Sequence, residues 1–373
     1  MMWLSPRRMV HSWLDSVDIR VNGDRPWDIQ IHDPSIYRRA VLQGTLGLGE
    51  SYMEGWWDCE RLDHFFEKVL SSDIQRTFDR NFFMLVEFVR AHIVNLQGKS
   101  RAFKIGQHHY DIGNDFYQRM LDTRMTYTCG YWNNAANLDQ AQEAKLDLVC
   151  RKLELKAGDK VLDIGCGWGS FAKFAAERYG VEVVGITVSK EQVGLAQELC
   201  KGLPVTIRLC DYRQLEGTFD HIVSLGMFEH VGYRNYKTYM RAVAGNLKDD
   251  GLFLLHTIGH KISVRSGDPW IEKYIFPNSM LPSIKQIAKA TEGVFVMEDW
   301  HNFGADYDKT LMAWFENFNR NWGEFEQRYG ERFYRMWNYF LLSCAGAFRA
   351  RHLQLWQVIF SKQGVRRGYM RLA

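Results

Sequence analysis

With 373 residues, the chain can bury a large core and suits one main domain with a smaller one beside it. Hydrophobic residues make up 46% and aromatics 14%, including 13 Trp, which excludes a disordered or low-complexity protein. A formal net charge of +3 is too mild to indicate nucleic acid, yet it does not repel an anionic membrane surface.

The first residues, Met1 to Val10, lack the apolar core of a signal peptide. No apolar run approaches the roughly 18 residues of a membrane-spanning helix, so contact with a membrane is expected only from its surface. The seven cysteines (Cys59, Cys129, Cys150, Cys166, Cys200, Cys210 and Cys344) are odd in number and form no Cys-x-x-Cys pair. Neither a disulfide framework nor a metal site is expected, and a reducing cytoplasm fits this usage.

Along the chain, Val17, Ile19 and Val21 alternate before the turn Asn22-Gly23, and Ile29 and Ile31 alternate after it, which predicts a small β element. Helical patterns follow over Leu62–Leu70 and Phe82–Leu96. The second is apolar nearly all round and is expected to be buried or at an interface. The polar stretch Gln97 to Arg101 reads as a linker. Next come His108–Phe116 and Met125–Trp132, dense in aromatic and polar groups. They suit a lid over a ligand, or rings packed as core; for Trp132 the two readings stand equal.

From there strands and helices alternate. Strand Val161–Ile164 runs into Gly165, Gly167 and Gly169, followed by a helix over Phe171–Arg178. Then come strand Val181–Gly185, helix Lys190–Cys200, and strands Val205–Leu209 and His221–Leu225. Helix Tyr233–Leu247 and strand Gly251–Thr257 complete the run. This succession predicts an α/β fold with a doubly wound, mostly parallel sheet. Late strands near Phe295–Met297 and Leu355–Phe360, with helix Asp308–Asn319 between them, would close it.

A strand, a glycine turn and a helix make a nucleotide-sized crevice at the strand's carboxyl end. The dinucleotide fingerprint seats a pyrophosphate with Gly-x-Gly-x-x-Gly. Here the spacing is Gly-x-Gly-x-Gly with Asp163 before it. That resembles the first motif of S-adenosylmethionine-dependent methyltransferases, whose ligand carries no phosphate. At the second strand's end, where an acid usually holds the ribose, the chain has Gly185-Ile-Thr-Val-Ser189. Thr187, Ser189 and Gln192 are the candidates there instead. Asp211 and Tyr212 offer an acceptor and a ring for adenine, although Asp211 alone serves a turn equally well. Glu229, His230 and His256 fall at two further strand ends and so share one rim.

The motifs HYDIGNDFY, YTCGYW, LDIGCGWGS, GMFEHVG, LLHTIG, DPWIEKYIFPN, MEDWHNFGADYD and LLSCAGAFRAR occur in that order from His108 onward. Together they resemble the bacterial cyclopropane-fatty-acyl-phospholipid synthases. LGLGESYMEGWWDC resembles that family's small leading domain. The resemblance implies a class I methyltransferase domain over 108–373, a mainly helical N-terminal domain over 1–97 and a linker over 98–107. It implies an enzyme that uses S-adenosylmethionine to place a methylene across the cis double bond of a phospholipid acyl chain. Methyl transfer leaves a carbocation, and loss of a proton from the new methyl closes the ring.

In the family a bound bicarbonate takes that proton. The resemblance carries its site onto Cys129, Glu229, His256, Ile258 and Tyr307, with Cys129 and Ile258 acting through backbone amides. It carries cofactor contacts onto Tyr127, Thr128, Asp163, Gly165, Cys166, Gly167, Gly169, Thr187, Val188, Ser189, Gln192, Asp211 and Tyr212. Cys344 is a candidate nucleophile in such families, but this chemistry needs no covalent enzyme intermediate, and Ser-Cys-Ala-Gly-Ala reads as tight packing. A homodimer using Phe82–Leu96 is implied, as is peripheral association with the inner membrane. Lys362, Arg366, Arg367 and Arg371 are candidates for lipid contact. The competing outcome is a methyl-branched or hydroxylated chain, should the cation be reduced or hydrated.

Overall fold

The structure is a computed structural model that describes residues 5–71 and 112–371. The helix expected over Phe82–Leu96, the linker after it and residues 108–111 of the aromatic segment lie outside the described residues. The chain divides into two compact units.

The first unit combines the described part of Met1–Val94 with Ser266–Pro277 and Tyr307–Leu353. It is mainly helical, built on Ile36–Met53, Leu62–Ser71 and Glu326–Arg349. Much of the chain's aromatic content is its core: Trp57, Trp270 and Trp337 are fully buried. Tyr339 packs among them, with ring centroids 4.6 Å from Trp270 and 5.3 Å from Phe66. Arg335 donates to the carbonyls of Tyr52 (2.5 Å) and Trp57 (2.9 Å) and to the Asp58 carboxylate (2.6 Å). The Ser-Cys-Ala-Gly-Ala run packs tightly, since a Cβ on Gly346 would stand 2.5 Å from the Asp63 carbonyl oxygen.

The small β element expected over Val17–Ile31 is present in reduced form. Only a single bridge joins Val21 and Ile29. Strand β1, Gln30–Ile31, pairs instead with β2, Trp57–Asp58. Side chains supply the missing ladder: the Asp28 carboxylate accepts the Arg20 and Arg25 amides at 2.7 and 3.1 Å, and Asn22 Oδ1 accepts the Ile31 amide at 2.8 Å.

The second unit holds a seven-stranded sheet. Its strands are β3 (Lys160–Ile164), β4 (Glu182–Thr187), β5 (Val205–Leu209), β6 (Phe219–Leu225), β7 (Leu247–His260), β8 (Val296–Asn302) and β9 (Leu353–Ser361). The order is β5-β4-β3-β6-β7-β9-β8. Strands β3 to β7 run parallel, and β8 pairs antiparallel with β9. This is the expected doubly wound arrangement.

One face of the sheet buries Val161, Val183 and Val223 with Leu146, Phe171 and Ala196 from helices Leu138–Lys152, Ser170–Tyr179 and Lys190–Leu199. The other buries Leu162, Ile222 and Phe253 with Tyr239 and Val243 of helix Tyr236–Asn246 and Ile287 of helix Ile284–Thr291. Both faces are covered, so the strands read as nearly continuous apolar runs. The winding reverses between β3 and β6, which opens a crevice at their carboxyl ends.

Candidate active site

The glycine loop sits at that reversal. Gly165, Gly167 and Gly169 have φ of 82, 55 and 82°, the left-handed region that favours glycine. A Cβ on Gly165 would lie 2.7 Å from the Met227 side chain, whereas one on Gly167 would meet nothing within 4 Å. Gly167 therefore presents bare backbone to open space. The amides of Gly165 and Cys166 both donate to the Ile186 carbonyl, at 2.9 and 3.0 Å. Amides engaged in this way do not form a phosphate cradle, which suits a nucleoside ligand without phosphates.

Asp163, just before the loop, is buried, and its Oδ2 has no hydrogen-bond partner. Burial pushes its carboxyl up to about 7, opposed by the charge of Lys145. Burial also pushes Lys145 down to about 8. Lys145 Nζ donates to Thr128 Oγ1 at 2.9 Å, and Gln142 Nε2 donates to the Thr128 carbonyl at 2.7 Å. Helix Leu138–Lys152 thus pins the segment carrying Tyr127, Thr128 and the fully buried Cys129, whose thiol donates to the Gly130 carbonyl at 3.1 Å. Neither Gln142 nor Lys145 is among the candidates drawn from sequence.

The aromatic segment before this packs as core: Phe116 and Tyr117 are buried, and Tyr117 lies 5.0 Å from the Trp168 ring of the glycine loop. Trp168 Nε1 donates to Asn114 Oδ1 at 2.9 Å. Trp132 is half-buried, and its amide donates to Asp306 Oδ2 at 2.8 Å.

At the end of β4, Thr187, Ser189 and Gln192 are buried and bonded to one another. Thr187 Oγ1 donates to Gln192 Oε1 at 2.7 Å, and Ser189 Oγ caps the next helix by accepting the Gln192 amide at 3.3 Å. The trio is organised before any ligand arrives, with Val188 inside its loop. Both Asp211 oxygens face the Arg213 guanidinium, at 2.7 and 2.6 Å. The Tyr212 ring packs into the core 5.0 Å from Tyr239. Both residues stand at the crevice end of β5 but are engaged by the protein itself.

Strands β6 and β7 deliver the acid–base groups. Gly226 ends β6 with φ of 71°, and its amide donates to the His256 carbonyl at 2.9 Å. A Cβ there would stand 2.7 Å from Thr128 Cγ2, so β6, β7 and the 127–129 segment meet here. Glu229 follows in a short 3-10 turn. Its Oε1 accepts the Ile258 amide at 2.7 Å, while its Oε2 is buried with no partner. Burial raises this carboxyl to about 7. His256 is also buried, with Nε2 unpartnered, and burial holds its imidazole well below the ordinary range. The Ile258 amide is therefore held by Glu229 rather than open to an anion.

Tyr307 and Cys344 belong to the first unit. The Tyr307 ring lies 4.5 Å from that of Phe348 and 6.0 Å from that of Trp314. Burial pushes the Cys344 thiol up to about 12, the wrong direction for a nucleophile.

A doubly wound sheet with this glycine loop at its reversal, and buried acid–base groups on the neighbouring strand ends, defines a class I S-adenosylmethionine-dependent methyltransferase. The family model for mycolic acid cyclopropane synthetase matches residues 97–358, and the chain belongs to that family. A cyclopropane-fatty-acyl-phospholipid synthase of Escherichia coli strain K12 is 55% identical over 361 residues, covering 97% of this chain and 94% of that one. Among solved structures, the cyclopropane synthase MmaA2 from Mycobacterium tuberculosis matches with a TM-score of 0.66 at 30% identity, over 70% of this chain and 98% of that one. The mycolic acid cyclopropane synthase CmaA1, solved with SAH and CTAB, matches with a TM-score of 0.65 at 32% identity, over 70% and 98% of the respective chains.

Proposed function

We propose that this chain converts the cis double bond of unsaturated phospholipid acyl chains into a cyclopropane, with S-adenosylmethionine as methylene donor and bicarbonate as the base. The observation that carries this reading is the pair of buried, unpartnered atoms Glu229 Oε2 and His256 Nε2 on adjacent strand ends beside the glycine loop. Buried polar atoms without partners cost free energy, and in an active site they mark where a ligand atom belongs.

The residues present fit both small molecules. Bare backbone at Gly167, the orphan oxygen of Asp163 and the preordered Thr187–Gln192 loop suit a nucleoside. When bound, S-adenosylmethionine supplies an activated methyl, and bicarbonate supplies a weak base. Glu229 and His256 would hold the anion as neutral donors. A carboxyl raised to about 7 keeps much of its proton near neutral pH, so it need not repel a second carboxylate-like group. A neutral His256 can donate from Nε2 without cancelling the anion's charge. Burial of Glu229 and His256 keeps water from these groups, and water would otherwise capture a cation on the acyl chain.

The acyl chain must come from a bilayer. Among the described residues, no helix is long and apolar enough to cross a membrane. We propose contact from the surface through exposed Arg366, Arg367 and Met370. Lys362 and Arg371 suit this less well, because Lys362 bonds the Leu247 carbonyl at 2.7 Å and Arg371 pairs with Asp299 at 3.5 Å. A homodimer is proposed as well, through Phe82–Leu96, which lies outside the described residues.

Mass spectrometry of unsaturated phosphatidylethanolamine vesicles incubated with protein, S-adenosylmethionine and bicarbonate tests the reading. It expects a gain of one CH₂ per converted chain, with loss of ozonolysis cleavage at that position. A saturated methyl branch or an added oxygen would overturn ring closure.

A further inference from the structure

We infer that Lys152 and Gln357 are positioning residues that lock His256 in the neutral tautomer whose proton is on Nε2. All three side chains are buried, on helix Leu138–Lys152, β9 and β7 respectively. They form one chain of polar contacts. Lys152 Nζ lies 2.9 Å from Gln357 Oε1 and 3.0 Å from His301 Nδ1, and Gln357 Nε2 lies 3.3 Å from His256 Nδ1.

The direction of each bond follows from donor chemistry alone. An ammonium has only protons to give, so the Gln357 atom facing Lys152 must be the carbonyl oxygen. The amide NH₂ then faces His256, and it too can only donate. His256 Nδ1 must therefore present its lone pair, which puts the proton of the neutral ring on Nε2. An imidazolium would set N–H against N–H at Nδ1. The charges facing this ring, Lys145 and Lys152, also oppose its protonation. Burial pulls Lys152 down to about 8, opposed by Asp299 Oδ2 at 3.9 Å, so the ammonium that anchors the chain predominates at neutral pH.

The consequence for catalysis rests on the proposed role of His256 as a donor to the base anion. With the opposite tautomer, Nε2 would aim a lone pair at that anion and repel it.

The test is ¹⁵N-histidine labelling with two-bond ¹H–¹⁵N correlation spectra of the full-length protein, His256→Asn serving to assign the resonances. Wild type should show a protonated Nε2 and an unprotonated Nδ1 through the neutral pH range. Gln357→Glu keeps the shape but replaces the donor with an acceptor, so the proton should appear on Nδ1. Its kcat should fall about 10- to 100-fold, the range typical of residues supporting a ligand-holding histidine. That loss should deepen as pH rises, because the last proton then sits on Nδ1, while KM for S-adenosylmethionine stays near wild type. A merely structural role would not create this new pH dependence. Lys152→Met, which frees the Gln357 amide to turn over, should give a mixture of tautomers. An Nδ1-protonated His256 in wild type, or an unmoved proton in Gln357→Glu, would overturn the inference. Wild-type turnover that is independent of bicarbonate would instead overturn the anion reading and leave the tautomer result standing.

Discussion

The Ile258 amide donates to Glu229 Oε1 at 2.7 Å and leaves Oε2 of the same carboxyl buried without a partner. Hydrogen bonds to the carboxyl do not offset the burial, so it rises to about 7. Under the proposed function, such a carboxyl can share its proton with a bound anion near neutral pH.

Replacing Glu229 with Gln keeps the acceptor for Ile258 but removes the exchangeable proton. Glu229 is proposed to hold the base anion rather than to act as the base, so kcat for Glu229→Gln should fall about 10- to 100-fold, the range typical of residues supporting a bound ligand group. S-adenosylmethionine affinity, measured by calorimetry, should stay near wild type. Equal losses in both would show that Glu229 shapes the cofactor site rather than the acid–base chemistry.

The same substitution has a pH-dependent effect on stability. The folded state holds the Glu229 proton up to about 7, against an ordinary value of 4.5. The group's favourable contribution is therefore complete below the ordinary value and is lost as pH rises through about 7. Glu229→Gln carries no such loss. Its denaturation midpoint should match wild type in mild acid and exceed it above neutrality. The gain should be about 1.4 kcal/mol for each pH unit separating the folded from the ordinary value. A variant less stable than wild type at alkaline pH would contradict this.

Two glycines should respond in opposite directions to alanine. At Gly165, φ is +82° and the new Cβ would meet Met227 at 2.7 Å. Gly165→Ala should cost about 1–3 kcal/mol of stability and weaken cofactor binding. Gly194 lies within helix Lys190–Leu199, with nothing within 4 Å of its added Cβ. Gly194→Ala should stabilise by about 1 kcal/mol. Urea denaturation curves of the pair check both.

Cys344→Ala should retain kcat, because a thiol pushed up to about 12 supplies almost no thiolate at neutral pH. Loss of turnover without loss of fold, measured by near-ultraviolet circular dichroism and activity together, would restore Cys344 as a catalytic candidate.

The unit from β3 through the glycine loop to helix Ser170–Tyr179 is legible in the sequence, because its signal is local: an apolar run, three glycines at fixed spacing, then a helical period. Glu229 and His256 are legible for a related reason, since one follows a recognisable strand and the other lies in the carboxyl-terminal half of the next. What the tertiary structure alone decides is which polar groups are buried and what faces them. Lys145, Lys152 and Gln357 lie on elements whose linear pattern does not mark them as interior, and all three are fully buried. The partners of Gln357 stand 101 and 205 residues away in sequence. The small β element expected over Val17–Ile31 forms only in part for the same reason, because the Asp28 carboxylate takes amides that strand alternation would assign to a ladder. Local periodicity sets where elements form. The direction of a proton on His256 and the orphan oxygen on Glu229 depend on contacts between distant segments, which burial enforces and no single stretch of sequence contains.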